Sequence, residues 1–191
     1  AGSAPGDAAA SRWVSDVVPC VEQLLPGLPL PACATLLSAL GSCQGLPSSS
    51  RQLDQLLDTF QVVTMARLAG APPSHVCGLL RALTDLGVRP EAEWAQAAVG
   101  ALARHLDAMR GGELVACAVA LADARVKPGR PFMLALLRAA RQAVQGTAGP
   151  GGGGLVPGAV AGDVSELTSA LMRLDPAVGR RWLAKLVVVY G

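Results

Sequence analysis

The stretch LLRALTDLGVRPEAEW, residues 79–94, decides the fold, because AVALADARVKPGRPF at 118–132 repeats it. Leu83 falls on Leu121, Asp85 on Asp123, Val88 on Val126, Arg89 on Lys127, Pro90 on Pro128 and Trp94 on Phe132, each pair displaced by 38 residues. A fixed displacement of this size marks a chain built from stacked supersecondary units. Working outward, LLSALGSCQGLPSSSR (36–51) sets Leu40 against Leu83 and Pro47 against Pro90, displaced by 43. LTSALMRLDPAVGRRW (167–182) sets Leu171 against Leu83 and Trp182 against Trp94. The anchor position therefore runs Trp13, Arg51, Trp94, Phe132, Trp182, and holds every tryptophan of the chain. Two spacings exceed 38: one is lengthened near ARLAGAPP, the other by the Gly-rich run GTAGPGGGGLVPG at 146–158.

Each unit reads as a pair of helices. Ser74 is placed to cap a helix ending near Leu86, with Gly87 in the left-handed position just beyond it. Pro90 suits the first turn of the second helix, where its missing donor is no loss. There Trp94, Ala98, Ala101, His105 and Met109 recur at three- and four-residue steps as one apolar stripe. Asp163 with Glu166 forms a capping box that restarts a helix after the Gly-rich run, and Asp175–Pro176 opens the last one. No segment alternates as a strand would. The expected fold is all-α: an α-solenoid of about four to five helix–turn–helix repeats, since one such hairpin cannot bury both faces alone. The expected divisions are a flexible tail at 1–10, repeats over 11–145, an inserted Gly-rich loop at 146–162 and a last repeat at 163–191. The opening AGSAPGDAAAS has the character of a mature chain from which a targeting peptide has been removed.

Of the 191 residues, 51% are hydrophobic, 16% charged and 3% aromatic, which excludes disorder throughout and leaves Leu, Val and Ala to build the core. Ile and Asn are absent and Lys is nearly so, a bias of GC-rich coding rather than chemistry. The net charge of +2 hides an asymmetry: residues 1–66 carry −3 and residues 67–191 carry +5, as in a chain with one half facing nucleic acid. Five cysteines, at 20, 33, 43, 77 and 117, lack any CxxC and sit among apolar or small residues. They read as buried, reduced thiols in a reducing compartment, not as a zinc site or a disulfide framework. The uncharged stretch 23–50 is broken by four prolines and the apolar run Leu114–Ala122 is short, so no membrane span is expected.

The sequence holds no phosphate loop, HExxH, GxSxG or strand-preceded GxGxxG, and PGGGG (150–154) has no Lys or Ser/Thr following at the needed spacing. His105 reads as a packed core histidine, His75 as a surface or capping residue, and Cys117 as inert within an apolar helix. Asp85 and Asp123 occupy equivalent positions, suited to capping or to pairing with Arg89 and Arg125. The expectation is therefore a non-enzyme with no catalytic residues, metal, cofactor or small-molecule substrate. Cations are more informative. Arg89 and Lys127 share one place in successive units, with Arg81, Arg125 and Arg130 nearby and Arg138, Arg141, Arg180, Arg181 and Lys185 on second helices. In a stacked array equivalent positions line up along one edge, so these ten form a candidate ladder for RNA phosphates; solvated surface arginine is the plain alternative.

LLxAL, LGxRP, a Pro-led turn and Trp at a period of 38 resemble the octotricopeptide repeats of green-algal organelle proteins. That family's turn is a Pro-rich stretch ending in Glu-Trp. PEAEW (90–94) matches it, PGRPF (128–132) does so in part, PSSSR (47–51) has Arg in place of the aromatic, and DPAVGRRW (175–182) keeps the Trp but shifts the Pro. The resemblance implies RNA binding at roughly one base per repeat. Four or five units would address only about as many nucleotides on that rule, too few to find one transcript. The implied role is an RNA-associated subunit of an organellar ribonucleoprotein, foremost a mitochondrial ribosomal protein that clamps rRNA beside other proteins, with the chloroplast as the alternative compartment. Two other readings stand beside it: a protein-binding scaffold in an organellar complex, and a fragment of an organellar mRNA expression factor.

Overall fold

The computed structural model describes residues 16–42, 51–144 and 160–190, and among these every regular element is helical. Helix α1 covers 16–24 and runs into a 3-10 turn, Leu25–Gly27. Then follow α2 (Leu30–Ser42), α3 (Arg51–Leu68), α4 (Pro73–Asp85), α5 (Ala92–Ala103), a 3-10 turn (Leu106–Ala108), α6 (Gly111–Asp123), α7 (Arg130–Val144), α8 (Val160–Leu174) and α9 (Pro176–Tyr190). The class is all-α, as the periodicity predicts. Trp13, Cys43, the tail at 1–10, residues 47–50 and the Gly-rich run at 146–158 lie outside the described residues.

The turn after α4 shows why a hairpin forms. Gly87 adopts φ +71°, its N–H donates to the Thr84 carbonyl at 2.8 Å, and the Val88 N–H reaches the Leu83 carbonyl at 2.9 Å. This pair of bonds is a Schellman motif, which satisfies the last carbonyls of a helix by reversing the chain. After α6 the same motif recurs: Arg125 at φ +54° donates to Ala122 at 3.1 Å, and Val126 donates to Leu121 at 3.0 Å. All of these pairs are displaced by 38 residues.

Burial repeats with the same displacement. Helix α4 buries Val76, Cys77, Leu79, Leu80, Ala82 and Leu83, and α6 buries their counterparts Leu114, Val115, Cys117, Ala118, Ala120 and Leu121. Trp94, Ala98, Ala101 and Leu102 of α5 answer to Phe132, Leu136, Ala139 and Ala140 of α7, all eight buried. The anchor leucines Leu40, Leu83, Leu121 and Leu171 are buried in every unit, whereas Arg51 on the aromatic lattice is exposed. Helix contacts fall into two rows, α2 on α4 on α6 on α8 and α3 on α5 on α7, with α9 packed on α8. The first row packs closely: a Cβ added at Gly41 of α2 would lie 3.0 Å from the backbone carbon of Asp85 on α4.

Two polar residues inside the core join successive hairpins. Trp94, 1% exposed, donates its indole N–H to Thr64 Oγ1 of α3 at 2.9 Å, and the Thr64 hydroxyl donates in turn to the Phe60 carbonyl at 2.7 Å. One turn earlier, Gln61 Oε1 accepts the Glu91 N–H at 2.7 Å, tying down the linker into α5. Every buried donor in this latch has a partner, which a buried tryptophan requires.

Several local expectations are corrected. Ser74 is not a cap: it is exposed one residue inside α4, whose cap is Pro72 and whose first turn begins with Pro73, pre-set for helical φ. Pro90 precedes the cap Glu91 instead of opening α5. Helix α8 starts at Val160, inside the stretch expected as loop, so Asp163 lies in its first turn, where a carboxylate favours the helix dipole, and does not cap it. His105 is half-buried in the turn after α5 rather than on a continuing helical stripe, though Met109 is buried. The last hairpin is built differently from the others. Asp175 alone separates α8 from α9, its Oδ1 accepting from the Ala177 and Val178 N–H groups at 2.9 and 3.2 Å, as Asp175–Pro176 predicts. Trp182 therefore falls in the second turn of α9 and donates to Thr168 of its own hairpin at 3.1 Å, not to the preceding unit.

The latch carries a stability prediction. Trp94→Ala should cost about 3–5 kcal/mol, the usual loss for a buried large ring. Thr64→Val keeps the volume but strands the indole N–H, and should cost about 1–3 kcal/mol. Urea unfolding midpoints measure both, and a Thr64→Val chain as stable as the parent would mean that the latch contributes nothing.

Candidate functional site

Each Schellman turn directs the next residue outward. Val126 points into the core, so Lys127 in the following extended segment is exposed, ahead of Pro128; Val88, Arg89 and Pro90 repeat the pattern. Arg89, Arg125 and Lys127 line one groove of about 760 Å³ between the two turns, whose apolar floor includes Ala95, Val99 and Val126. A second groove of about 550 Å³ shares Arg89, Arg125 and Lys127 and adds Thr84, Asp123 and Arg173. Arg173 Nη1 donates to Asp123 Oδ1, both side chains partly exposed. Four cations thus face one carboxylate across a shallow apolar surface. An exposed pair such as Arg173–Asp123 adds little stability, so its main effect is to hold Arg173 at the groove.

Arg125 is the strained member. It stands at the left-handed position that Gly87 fills one unit earlier, and it is the one non-glycine with positive φ among the described residues. An L-residue pays about 1 kcal/mol there relative to glycine. Its side chain is exposed, so packing does not account for its presence.

Three of the ten candidate cations converge here: Arg89, Arg125 and Lys127. Arg81 lies apart, in a groove between α2 and α4 with Ser38, Ser42 and Asp85. Arg130 is exposed at the start of α7; Arg138 and Arg141 are exposed further along it, and Arg180 and Arg181 on α9. The side chain of Lys185 lies outside the described residues. Pairing of Asp85 with Arg89 and of Asp123 with Arg125 is overturned. Asp85 Oδ2 accepts from Ser38 Oγ of α2 at 3.1 Å, and Asp123 binds Arg173 of α8, so both aspartates link neighbouring first-row helices.

Sequence reasoning missed Arg173, although the lattice held the signal: set Leu171 on Leu83 and Leu121, and Arg173 falls where Asp85 and Asp123 stand. It also missed Arg67, which is half-buried and donates to the Leu28 carbonyl at 2.6 Å, a structural tie. The cysteine reading needs correction at one position. Cys33, Cys77 and Cys117 are buried, but Cys20 is exposed, with its thiol on the Asp16 carbonyl at 3.5 Å. Burial pushes the Cys33 thiol up, with Arg67 only partly opposing it. Among the described residues no group of His, Cys, Asp and Glu could hold a metal ion, and no helix is long and apolar enough to cross a membrane.

No family model, curated protein or solved structure matches the chain.

The strain at Arg125 makes a prediction of unusual sign. Arg125→Gly should raise stability by about 1 kcal/mol, and Gly87→Arg should lower it by a similar amount. Thermal melts of both variants check it; a destabilised Arg125→Gly chain would show that the arginine side chain more than offsets its backbone strain.

Proposed function

We propose that the chain is a non-catalytic RNA-associated helical-repeat protein, an α-solenoid in which the turn edge of successive hairpins grips the phosphate backbone. The observation that carries this reading is the meeting of Arg89, Arg125 and Lys127 in one groove, with Arg173 at its border. Guanidinium and ammonium groups at a fixed repeat interval suit evenly spaced phosphates, and the Ala95 and Val99 surface between them leaves room for sugar and base faces. A strained arginine held where glycine is easier is expected of a binding position rather than a structural one. The octotricopeptide resemblance points to the same ligand, and the organellar setting, foremost a mitochondrial ribosome with rRNA as the RNA, rests on that resemblance. Arg81, in a separate groove beside Asp85, favours a second reading in which the chain is a protein-binding scaffold.

Fluorescence anisotropy with a short single-stranded RNA tests the first reading. Affinity should fall steeply with salt. Arg89→Glu with Lys127→Glu should weaken binding and flatten the log–log salt slope by about 0.7 for each phosphate no longer neutralised. Arg138→Glu should change neither much. Binding that ignores salt between about 50 and 200 mM, or an Arg138→Glu defect as large as the double variant's, would favour the scaffold.

A further inference from the structure

Cys77 and Cys117 meet across the seam between α4 and α6. Both are buried, the two helices pack directly on each other, and the thiols share a hydrogen bond. In the repeat lattice Cys77 answers to Val115 and Cys117 to Leu79, so each sulfur stands where the other unit carries an aliphatic side chain. We propose that this pair is an oxidative modification site, converted by a peroxide into a disulfide that ties the α4/α5 hairpin to the α6/α7 hairpin.

The two thiols are unequal, which sets their order of reaction. The hydrogen bond from Cys117 holds the Cys77 thiol below its usual range, helped by Arg81 one turn along α4 and opposed by burial and by Glu113. Its bond to Cys77, together with burial, pushes Cys117 well up. Cys77 is 7% exposed while Cys117 is fully enclosed, so the more acidic thiol is also the one a small oxidant reaches. The Cys77 thiolate attacks one peroxide oxygen; the O–O bond breaks, and the leaving hydroxide takes a proton to become water. Cys77 is then a sulfenic acid. The Cys117 sulfur attacks the Cys77 sulfur, the S–O bond breaks, and the departing hydroxide takes the Cys117 proton as a second water. Two thiols are oxidised to one disulfide as one peroxide is reduced to two waters. Sulfurs already in hydrogen-bond contact need only a small approach to reach bonding geometry. The bond would close a long loop and fix the spacing of the hairpins that carry Arg89 and Lys127.

The test treats the full chain with hydrogen peroxide, alkylates the remaining thiols after unfolding, and maps non-reduced peptides by mass spectrometry. The expected product is a peptide pair joined through Cys77 and Cys117, lighter by two hydrogens. Its Tm should rise by roughly 5–15 °C and return on reduction with dithiothreitol. Cys20→Ser should leave the cross-link intact, and Cys77→Ser should abolish it. Recovery of Cys77 and Cys117 fully alkylated while Cys20 is oxidised would overturn the proposal, as would a cross-link joining Cys20 to either of them.

Discussion

A left-handed residue after the first helix of a unit sets the course of the chain, at Gly87 and again at Arg125. It turns the following valine back onto the helix end, where Val88 packs against the core and Val126 is buried in it. The next residue is then forced outward and a proline follows, so the second helix starts from a fixed, extended approach. Hairpin geometry, the direction of the second helix and the exposure of Arg89 and Lys127 all descend from that one backbone choice. Where the turn is missing, before α9, the aromatic anchor slips by a turn and its hydrogen bond stays within its own hairpin.

Close packing in the first row depends on small side chains. Ala, Cys and Gly recur on α2, α4 and α6, and the Gly41–Asp85 approach leaves no room for a β-carbon to settle without movement. A core this poor in aromatics gains its burial from Leu and Ala at short range, so adjacent helices must sit near each other. The few large rings serve as joints: Trp94 bridges hairpins through Thr64, and Trp182 closes its own hairpin through Thr168. At the α8–α9 crossing, a Cβ on Gly179 would lie 2.6 Å from Met172 Sδ.

What was legible in the sequence was whatever the repeat copies. Leucine positions, the left-handed turn and the outward cation appear twice at one displacement, and each occupies equivalent environments in the structure. Features that occur once were not legible. Gln61 and Thr64 look like surface residues on a helix rich in Gln, Asp and Thr, and only the arrival of Trp94 and Glu91 from the next unit explains their burial. Ser74 had the right chemistry for a cap, but Pro72 and Pro73 already fix the backbone there. Arg173 was readable only by carrying the lattice across the Gly-rich run, where a change of sign from Asp to Arg makes a partner for Asp123.

The same lattice limits the cationic edge. Arg89 and Lys127 are two rungs; carried into the last unit, the position falls on Ala177 in α9, because the extended segment that would expose a third cation does not exist there. Arg173 reaches the groove instead from the aspartate position, and Asp123 holds it in place. Arg125 adds charge at the cost of backbone strain within the one turn that faces both grooves. The positive charge is thus concentrated between two hairpins rather than spread along a track. Under the RNA reading, such a site suits gripping a short bend or junction of backbone already positioned by other contacts. It is poorly suited to reading a long sequence base by base, which needs the same side-chain positions offered by many successive units.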